Sequence, residues 1–263
     1  MKMEQKAFLS EVQEMLEMAV LEYNNVGFIE MDPISVPHRF SQKEDIEISG
    51  LMAATFAWGN RKSIINSSLR FLEQMDMSPY DFIMNHSELD KKRFLDFKHR
   101  TFNADDALLF IDSLHIIYKN MGGLEAVFNK GFSEGGVYGA LVYFNQVFFS
   151  VEHAQRSRKH VSNPEKGSAC KRLNMFLRWM VRKDTSEVDF GLWRTIPMSD
   201  LLCPLDVHSG NTARNLGILT RKQNDWKAVL ELNEILSYFC AQDPVKYDFA
   251  LFGLSVNQSP LKI

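Results

Sequence analysis

The sequence predicts an all-α protein, and three observations support that class. Apolar residues recur at steps of three or four, as at Phe8, Val12, Met15 and Ala19 near the N-terminus. Helix-start signals recur along the chain. In each of them an N-cap residue is followed by a proline or an acid. Alternating strand patterns are nearly absent, which argues against Rossmann-like and barrel architectures.

The first part of the chain predicts two helices separated by a loop. The apolar spacing places an amphipathic helix over residues 2–23. Residues 26–40 contain two prolines and are typical of an extended loop. Ser41 and Glu44 form a capping box ahead of the apolar run 46–58. That run therefore predicts a central buried helix.

The middle of the chain predicts further helices, most of them with a start or stop signal. Gly59-Asn60 ends the buried helix, Ser78 and Asn103 are N-cap residues, and Gly122-Gly123 ends a helix. Residues 137–151 contain β-branched and aromatic side chains that would suit a strand, but the length of the stretch favours a helix. The predicted helices cover 61–75, a segment from 79, 104–120, a short piece ending near 130, and 137–151, with a turn at 133–136.

The last third predicts a basic helix, an irregular segment and three more helices. Residues 152–167 are polar, basic and loop-like, and Ser168 caps a helix that continues to about 183. Residues 184–205 contain one glycine and two prolines and are irregular. The helices that follow are expected at 207–216, 225–240 and 243–254.

Composition narrows the class of protein. The chain has 263 residues, 45% hydrophobic and 24% charged, as expected for one domain or two packed lobes. No apolar run approaches the roughly 18 residues that span a bilayer. The N-terminus has no signal-peptide pattern, so we expect a cytoplasmic protein with no membrane partner. The cysteines and histidines have no metal-ligand spacing, so the sequence predicts no cofactor and no metal.

Basic residues are concentrated in one region of a chain whose net charge is −3. Between Glu152 and Asp184 nine lysines and arginines stand against three acids, a local excess of +6. On the helix predicted there, Lys171, Arg178 and Arg182 lie within roughly 40° of one another. This stripe is either a phosphate-contacting face, a solvated basic face, or a face that pairs with acids elsewhere in the fold.

A second informative segment, Pro204-Leu205-Asp206-Val207-His208, leads directly into a predicted helix. Asp206 is well placed as the N-cap of that helix, which would by itself account for an aspartate here. With Arg214-Asn215-Leu216-Gly217, the segment resembles the P-[VL]-D-x-H … R-x-L-G pattern of the helix-hairpin-helix DNA glycosylase superfamily.

Two further resemblances extend the first. Residues Ala169-Cys170-Lys171-Arg172-Leu173-Asn174-Met175 are similar to the lysine helix of the archaeal 8-oxoguanine glycosylases, and the 35-residue separation between Lys171 and Asp206 is close to that branch. Nearly the whole chain resembles a bacterial family of uncharacterised proteins of about this length. That resemblance is carried by Asp32-Pro33, Ala57-Trp58-Gly59-Asn60, Lys98-His99-Arg100 and Phe176-Leu177-Arg178-Trp179-Met180-Val181-Arg182.

The resemblance implies a fold and an activity. The fold is a two-lobed helical unit over residues 1–263 with an interlobe cleft, in which residues 40–150 form the first lobe and residues 1–39 and 151–263 the second. The activity is that of a DNA glycosylase and AP lyase of base-excision repair, which excises a flipped damaged base such as 8-oxoguanine. A neutral Lys171 would attack the sugar C1′, and Asp206 would stabilise the positive sugar.

The resemblance also implies contacts to a damaged DNA duplex. His208 would touch phosphate or orient Asp206, and Asn60 and Arg61 would fill the gap left by the flipped base. The residues expected to bind nucleic acid are Asn60, Arg61, Lys166, Arg178, Arg182 and His208.

Departures from the superfamily pattern keep other functions open. The hairpin that usually reads L-P-G-V-G is Asn163-Pro164-Glu165-Lys166-Gly167-Ser168 here, with one glycine and an acid where backbone N–H groups would hold phosphate. Asn211 stands where an arginine often follows the aspartate, and the four-cysteine iron–sulfur loop is absent. The alternatives are a non-catalytic nucleic-acid-binding protein on the same fold, and a helical protein acting on a small metabolite or protein partner.

Overall fold

The computed structural model describes residues 3–257, and its regular structure is helical, which confirms the predicted all-α class. The expected helix start at Lys2 lies outside the described residues. The α-helices are α1 Met3–Tyr23, α2 Gly27–Glu30, α3 Lys43–Phe56, α4 Arg61–Glu73, α5 Pro79–Asn85, α6 Ala104–Asn120, α7 Leu124–Phe148, α8 Lys171–Val181, α9 Val207–Asn215, α10 Trp226–Phe239 and α11 Tyr247–Asn257. Short 3₁₀ turns occur at Pro33–Ser35, Pro37–Arg39, Asp90–Phe94, Gln155–His160, Pro164–Lys166, Met198–Asp200 and Pro244–Lys246.

Extended structure within residues 3–257 is limited to isolated bridges. His99 pairs with Phe102 and Ser168 pairs with Asp225, each in antiparallel fashion, and no strand forms in this range. The same stretch of chain contains no helix that is both long enough and apolar enough to cross a membrane.

The described chain forms two compact units. Unit 1 comprises residues 3–28, 167–191 and 197–257, and unit 2 comprises residues 29–166 and 192–196. These bounds differ from the lobe bounds at 40 and 150 that the resemblance implies. The expected arrangement of two lobes around a cleft stays a prediction.

Unit 1 is built on α1, α9, α10 and α11. Helix α1 packs on α11, and α11 packs on α9. The buried residues of α1 include Leu9, Val12 and Leu16, which face the core of this unit. The predicted apolar stripe is therefore rotated by about one residue, because Phe8 and Met15 are exposed.

Helix α11 approaches α1 closely at one glycine. A Cβ atom on Gly253 would lie 2.1 Å from Cδ2 of Tyr23, so the Tyr23 ring packs on α11 at a distance that requires a glycine at this position. Tyr23 is the last residue of α1, so this contact lies at the C-terminal end of that helix.

Unit 2 is centred on α3 and an aromatic cluster. Every residue from Ile46 to Phe56 is buried, as the apolar run predicts, and α3 packs on α4 and α5. The ring of Phe56 has its centroid 5.8 Å from Phe71, 5.6 Å from Phe97 and 4.9 Å from Phe102. Such offset and edge-to-face pairs add to the free energy gained by burial.

The structure corrects two predictions near the start of unit 2. Helix α3 begins at Lys43 with Gln42 as its N-cap, so the capping box predicted at Ser41 and Glu44 is wrong. Residues 26–40 contain α2 and two 3₁₀ turns instead of an extended loop. Each of the two prolines begins a turn, since its missing N–H would be unsatisfied at that position in any case.

The break predicted at residues 133–136 is confirmed inside α7. Gly135 and Gly136 leave the helical region, and Gly136 has a φ of +61°, which favours glycine. The helical segments on either side approach each other where a Cβ on Gly131 would lie 2.6 Å from the carbonyl oxygen of Gly139. The segment after the break is helical, as its length predicts.

Candidate functional site

Lys171 and Asp206 lie together in unit 1. Lys171 is the first residue of α8, and Asp206 immediately precedes α9. The Lys171 Nζ atom is 3.5 Å from Asp206 Oδ2, although the residues are 35 apart in the sequence. Their side chains are 30% and 27% exposed, so both are accessible from solvent and neither is freely solvated.

Asp206 uses its two carboxylate oxygens differently. Oδ1 accepts hydrogen bonds from the backbone N–H groups of His208 at 2.8 Å and Ser209 at 3.0 Å. The Ser209 hydroxyl accepts from the Asp206 N–H at 3.0 Å, which completes a capping box. Oδ2 is the atom that faces Lys171. The N-cap expected from the sequence is confirmed, and it leaves one oxygen directed at the amine.

The surroundings of Asp206 keep its carboxylate ionised. Burial alone would raise its pKa, but the Lys171 ammonium and the N–H groups of Ser209 and His208 outweigh burial. The net pKa of Asp206 is below its ordinary value. A fixed negative charge therefore lies beside the amine at neutral pH.

An unusual backbone turn sets the position of Lys171. Cys170, the N-cap of α8, has φ 49° and ψ 34°, a left-handed conformation that is rare for a residue with a side chain. The predicted cap, Ser168, is instead paired with Asp225, and its hydroxyl accepts from the Cys170 N–H at 3.2 Å. Helix α8 consequently starts two residues later than predicted, with the lysine at its first position.

Asp248, a residue that the sequence analysis missed, is buried near the pair. Burial raises its pKa to about 6, against the opposing positive charges of Arg178 and Lys171, while the Asp206 charge adds to the increase. Its Oδ1 lies 3.9 Å from Cys203 Sγ, a thiol whose pKa burial raises well above the ordinary value. The only sequence signal for Asp248 is an acid in the otherwise apolar run of α11.

Arg178 does not face solvent. The residue is 3% exposed, its Nε donates to Asp189 Oδ1 at 3.2 Å, and its Nη1 donates to Asp248. The guanidinium carbon lies 4.3 Å from the centre of the Phe249 ring. The prediction that Arg178 contacts nucleic acid is wrong, because its donors are directed at buried carboxylates.

Arg182 is buried in the same way, at 1% exposure. Its guanidinium donates to Asp243 at 3.1 Å, to Asp189 at 3.0 Å and to Asp184 at 2.7 Å. The role predicted for Arg182 in binding nucleic acid is therefore also wrong. Of the three interpretations of the basic stripe, pairing with acids elsewhere in the fold is the one that holds for both arginines.

The remaining motif residues of unit 1 support the loops around the pair. His208 is exposed, and its backbone N–H contacts Asp206. Arg214 donates to the carbonyl of Arg221 at 2.8 Å and to the Asn224 side chain at 2.5 Å. Asn224 in turn donates to the Asp206 carbonyl at 2.8 Å. The R-x-L-G segment thus holds the loop after α9 against the backbone of Asp206.

The other expected DNA-binding residues lie in unit 2. Asn60 caps α4 by accepting from the Ser63 N–H at 3.3 Å, Arg61 is partly buried, and Lys166 is exposed at the end of a 3₁₀ turn. Asn60 also lines a groove of about 410 Å³ along one face of α4. The α4 groove is lined by Asn60, Lys62, Ser63, Asn66, Ser67 and Arg70. Sequence reasoning missed five of these residues, whose polar spacing of three and four along a helix is the signal that could have found them.

Comparison with known proteins gives a family and no activity. The family described as "Protein of unknown function (DUF2400)" matches residues 32–257. The chain belongs to this family. No curated protein and no solved structure matches the chain. Membership of DUF2400 agrees with the predicted resemblance to an uncharacterised family, whereas the relation to DNA glycosylases stays a prediction.

Proposed function

We propose that this DUF2400 protein is a DNA glycosylase and AP lyase that excises a flipped, damaged base such as 8-oxoguanine. The observation that carries the proposal is the 3.5 Å contact between Lys171 Nζ and Asp206 Oδ2 at a partly exposed position. A nucleophilic amine beside a fixed carboxylate is the pair of groups that this chemistry needs.

The two groups have separate roles in the proposed reaction. Lys171, after giving up its ammonium proton, forms a bond from Nζ to the sugar C1′. The C1′–N bond to the base breaks, and its electron pair leaves with the base, which takes up a proton. The C1′–O4′ bond of the sugar then breaks and O4′ takes up a proton, which leaves a Schiff base between Nζ and C1′. Loss of a proton from C2′ breaks the C3′–O3′ bond and releases the phosphate at that position.

Asp206 stabilises the positive charge that develops on the sugar as the base leaves. Its Oδ2 faces the amine, while the backbone donors of α9 hold its Oδ1. Because the carboxylate is fixed before the reaction begins, little reorganisation is needed in the transition state. The ammonium proton of Lys171, whose side chain is 30% exposed, passes to solvent before the attack, so that Asp206 stays ionised.

The α4 groove is the surface that we assign to the nucleic-acid backbone. Its lining combines the basic side chains of Lys62 and Arg70 with two hydroxyls and two amides. These are the donor types that contact phosphate and sugar in protein–DNA complexes. In this proposal the α4 groove makes the contacts to the nucleic-acid backbone that the sequence assigned to Arg178 and Arg182.

One observation favours a second candidate, a nucleic-acid-binding protein without catalysis. In the hairpin segment the Asn163 side chain accepts from the Glu165 N–H at 2.8 Å and donates to the Glu165 carboxylate at 3.0 Å. An acid therefore occupies the turn that would otherwise present N–H groups to phosphate. On this alternative Asp206 serves only as a helix cap.

Single-turnover cleavage of lesion-bearing duplexes distinguishes the two functions. Duplexes containing 8-oxoguanine, an abasic site or no lesion are incubated with wild type, Lys171→Gln and Asp206→Asn. Asparagine caps helices about as well as aspartate, so Asp206→Asn removes the charge while keeping the cap. We expect cleavage by wild type at the lesion, and a loss of about 100-fold or more in each variant.

The matched control is Lys227→Gln, an exposed lysine on α10, which should cleave as wild type does. Each protein is also tested for duplex binding by fluorescence anisotropy. Binding without cleavage by the wild type would reject the enzyme in favour of the binding protein. If Asp206→Asn cleaves as wild type does, Asp206 serves only as the N-cap of α9 and has no role in catalysis.

A further inference from the structure

A cavity of about 510 Å³ lies within unit 2, between α3, α5, α6 and the start of α7. Its volume falls in the range of sites that hold small molecules. Carboxylates dominate its lining: Glu44 and Glu47 come from α3 and Glu125 from α7, against one basic side chain, Lys43. The lining therefore carries an excess of two negative charges when the three glutamates are ionised.

Glu47 is a buried carboxylate held in place on the wall of this cavity. The residue is 1% exposed, and its Oε2 accepts from the Tyr118 hydroxyl at 2.7 Å. Its Oε1 accepts from Trp193 Nε1, also at 2.7 Å. Burial raises the pKa of Glu47 above its ordinary value, against the opposing hydrogen bonds from Tyr118 and Trp193 and the charge of Lys43. A second cation near Glu47 would stabilise its ionised form.

The Lys43 ammonium shows that the carboxylates on this wall bind a positively charged amine. It contacts the Glu125 carboxylate directly and lies 3.8 Å from Glu47 Oε1. The carboxylates raise the pKa of Lys43 despite the opposing effect of burial. The Lys43 side chain is 42% exposed, so it can turn outward and leave both carboxylates to another ammonium.

Two further features of the lining suit an organic cation. The Oδ1 atom of Asn129 is buried and accepts no hydrogen bond within the described chain, so a ligand N–H donor would satisfy it. The rings of Tyr80 and Tyr118, which lie 5.4 Å apart in an edge-to-face pair, also line the cavity and give it aromatic surface beside the carboxylates. The described residues contain no group of three or more acids, histidines or cysteines arranged for a metal.

We propose that this cavity binds a small organic cation with N–H donors, of the diamine or guanidine class. One charged end lies between Glu47 and Glu125 in place of the Lys43 ammonium. The Asn129 carbonyl accepts from the same end, and the tyrosine rings cover the carbon chain. This site does not rest on the proposed action of Lys171 on DNA.

Isothermal titration calorimetry on the full chain tests the proposal, with putrescine and agmatine as probes. Butane-1,4-diol matches putrescine in length without charge, and succinate reverses the charge. We expect saturable one-to-one binding of at least one cation, and none of the diol or the dianion. Affinity should fall as the pH is lowered, because burial raises the pKa of Glu47 and the protonated acid no longer attracts a cation.

The variants Glu47→Gln and Glu125→Gln remove one charge each while preserving volume. Each should weaken binding by about tenfold or more. Glu88→Gln, an exposed acid of the same unit, should bind as wild type does. If Glu47→Gln does not fold, Glu125→Gln decides the question. Absence of binding by both cations, equal binding of the diol, or unchanged affinity in Glu125→Gln would overturn the proposal.

Discussion

At the scale of single residues, Asp206 combines a structural and a chemical requirement. Its Oδ1 caps α9, and its Oδ2 faces Lys171. An aspartate at this position is therefore consistent with both interpretations of the sequence, because the two tasks use different atoms. Activity and stability have to be measured on the same variants to separate these tasks.

Asp248 makes the stability of the protein depend on pH. Burial raises its pKa to about 6, so the folded state binds this proton more tightly than the unfolded state does. Its contribution to stability is fully present below about pH 4 and is lost as the pH rises through about 6. We expect Asp248→Asn to remove that loss. As the pH rises from 4 to 7, the free energy of unfolding of Asp248→Asn minus that of wild type should therefore increase by up to about 3 kcal/mol.

Urea denaturation of both proteins at a series of pH values measures this difference. Asp200→Asn, an exposed aspartate of the same unit, is the control and should follow the wild-type curve at every pH. A difference between Asp248→Asn and wild type that stays constant with pH would contradict the raised pKa.

The sequence predicted some of the candidate site and missed the rest for a physical reason. Lys171 and Asp206 were identified through short motifs, and the N-cap of α9 followed from local chemistry alone. The prediction that Lys171, Arg178 and Arg182 form one basic stripe was based on helical spacing alone. Spacing gives the angle of a side chain about its own helix, and it does not show which acids of other segments lie opposite.

At the scale of elements, local signals predicted most helices, and tertiary pairing shifted some of their ends. Asn103 caps α6 with a complete capping box, and Asp225 caps α10. The start of α8 was misplaced because Ser168 forms a bridge to a residue 57 positions later in the chain. No local pattern could have shown that bridge, since it exists only in the folded unit.

Helix α8 depends on the ion pairs of its buried arginines. Arg182 pairs with Asp184, Asp189 and Asp243, and its removal would take a countercharge from all three carboxylates, leaving Arg178 as the cation beside the buried Asp189. We expect Arg182→Ala to lower the free energy of unfolding by about 3–5 kcal/mol. Urea denaturation monitored by circular dichroism at 222 nm measures the loss.

Lys227→Ala is the control for that substitution, because it removes an exposed cation from α10. Its free energy of unfolding should stay within about 0.5 kcal/mol of wild type. A loss below about 1 kcal/mol in Arg182→Ala would mean that the arginine contributes little to the fold, which would reopen a role for it on the surface.

At the scale of the whole molecule, the fold class was predictable and the division into units was not. Helical periodicity is local, so composition and spacing sufficed to predict an all-α chain. Each unit, however, is assembled from separated segments, and residues 192–196 belong to the unit formed by residues 29–166. Contacts across such distances in sequence leave no signal in a single chain.

The distribution of charge predicts how binding to DNA depends on salt. The net charge is −3, so attraction to phosphate must come from local basic surfaces such as the α4 groove. We expect Lys62→Ala to weaken duplex binding and to reduce the slope of log K against log salt by about 0.9, the effect of one phosphate contact. Fluorescence anisotropy between low and moderate salt gives the slope.

Lys119→Ala, an exposed lysine at the end of α6, serves as the matched control and should leave the slope unchanged. Equal slopes for wild type and Lys62→Ala would show that the α4 groove does not contact phosphate. The surface that binds DNA would then have to be sought elsewhere on the protein.

The central claim, that Lys171 is the nucleophile of a Schiff-base reaction, is tested most directly by borohydride trapping. Wild type, Lys171→Gln and Lys227→Gln are incubated with duplexes containing 8-oxoguanine or an abasic site, reduced, and examined for a covalent protein–DNA adduct. We predict an adduct in wild type and in Lys227→Gln, its absence in Lys171→Gln, and a modified peptide that contains Lys171. No adduct with either duplex, or an adduct that persists in Lys171→Gln, would contradict the claim.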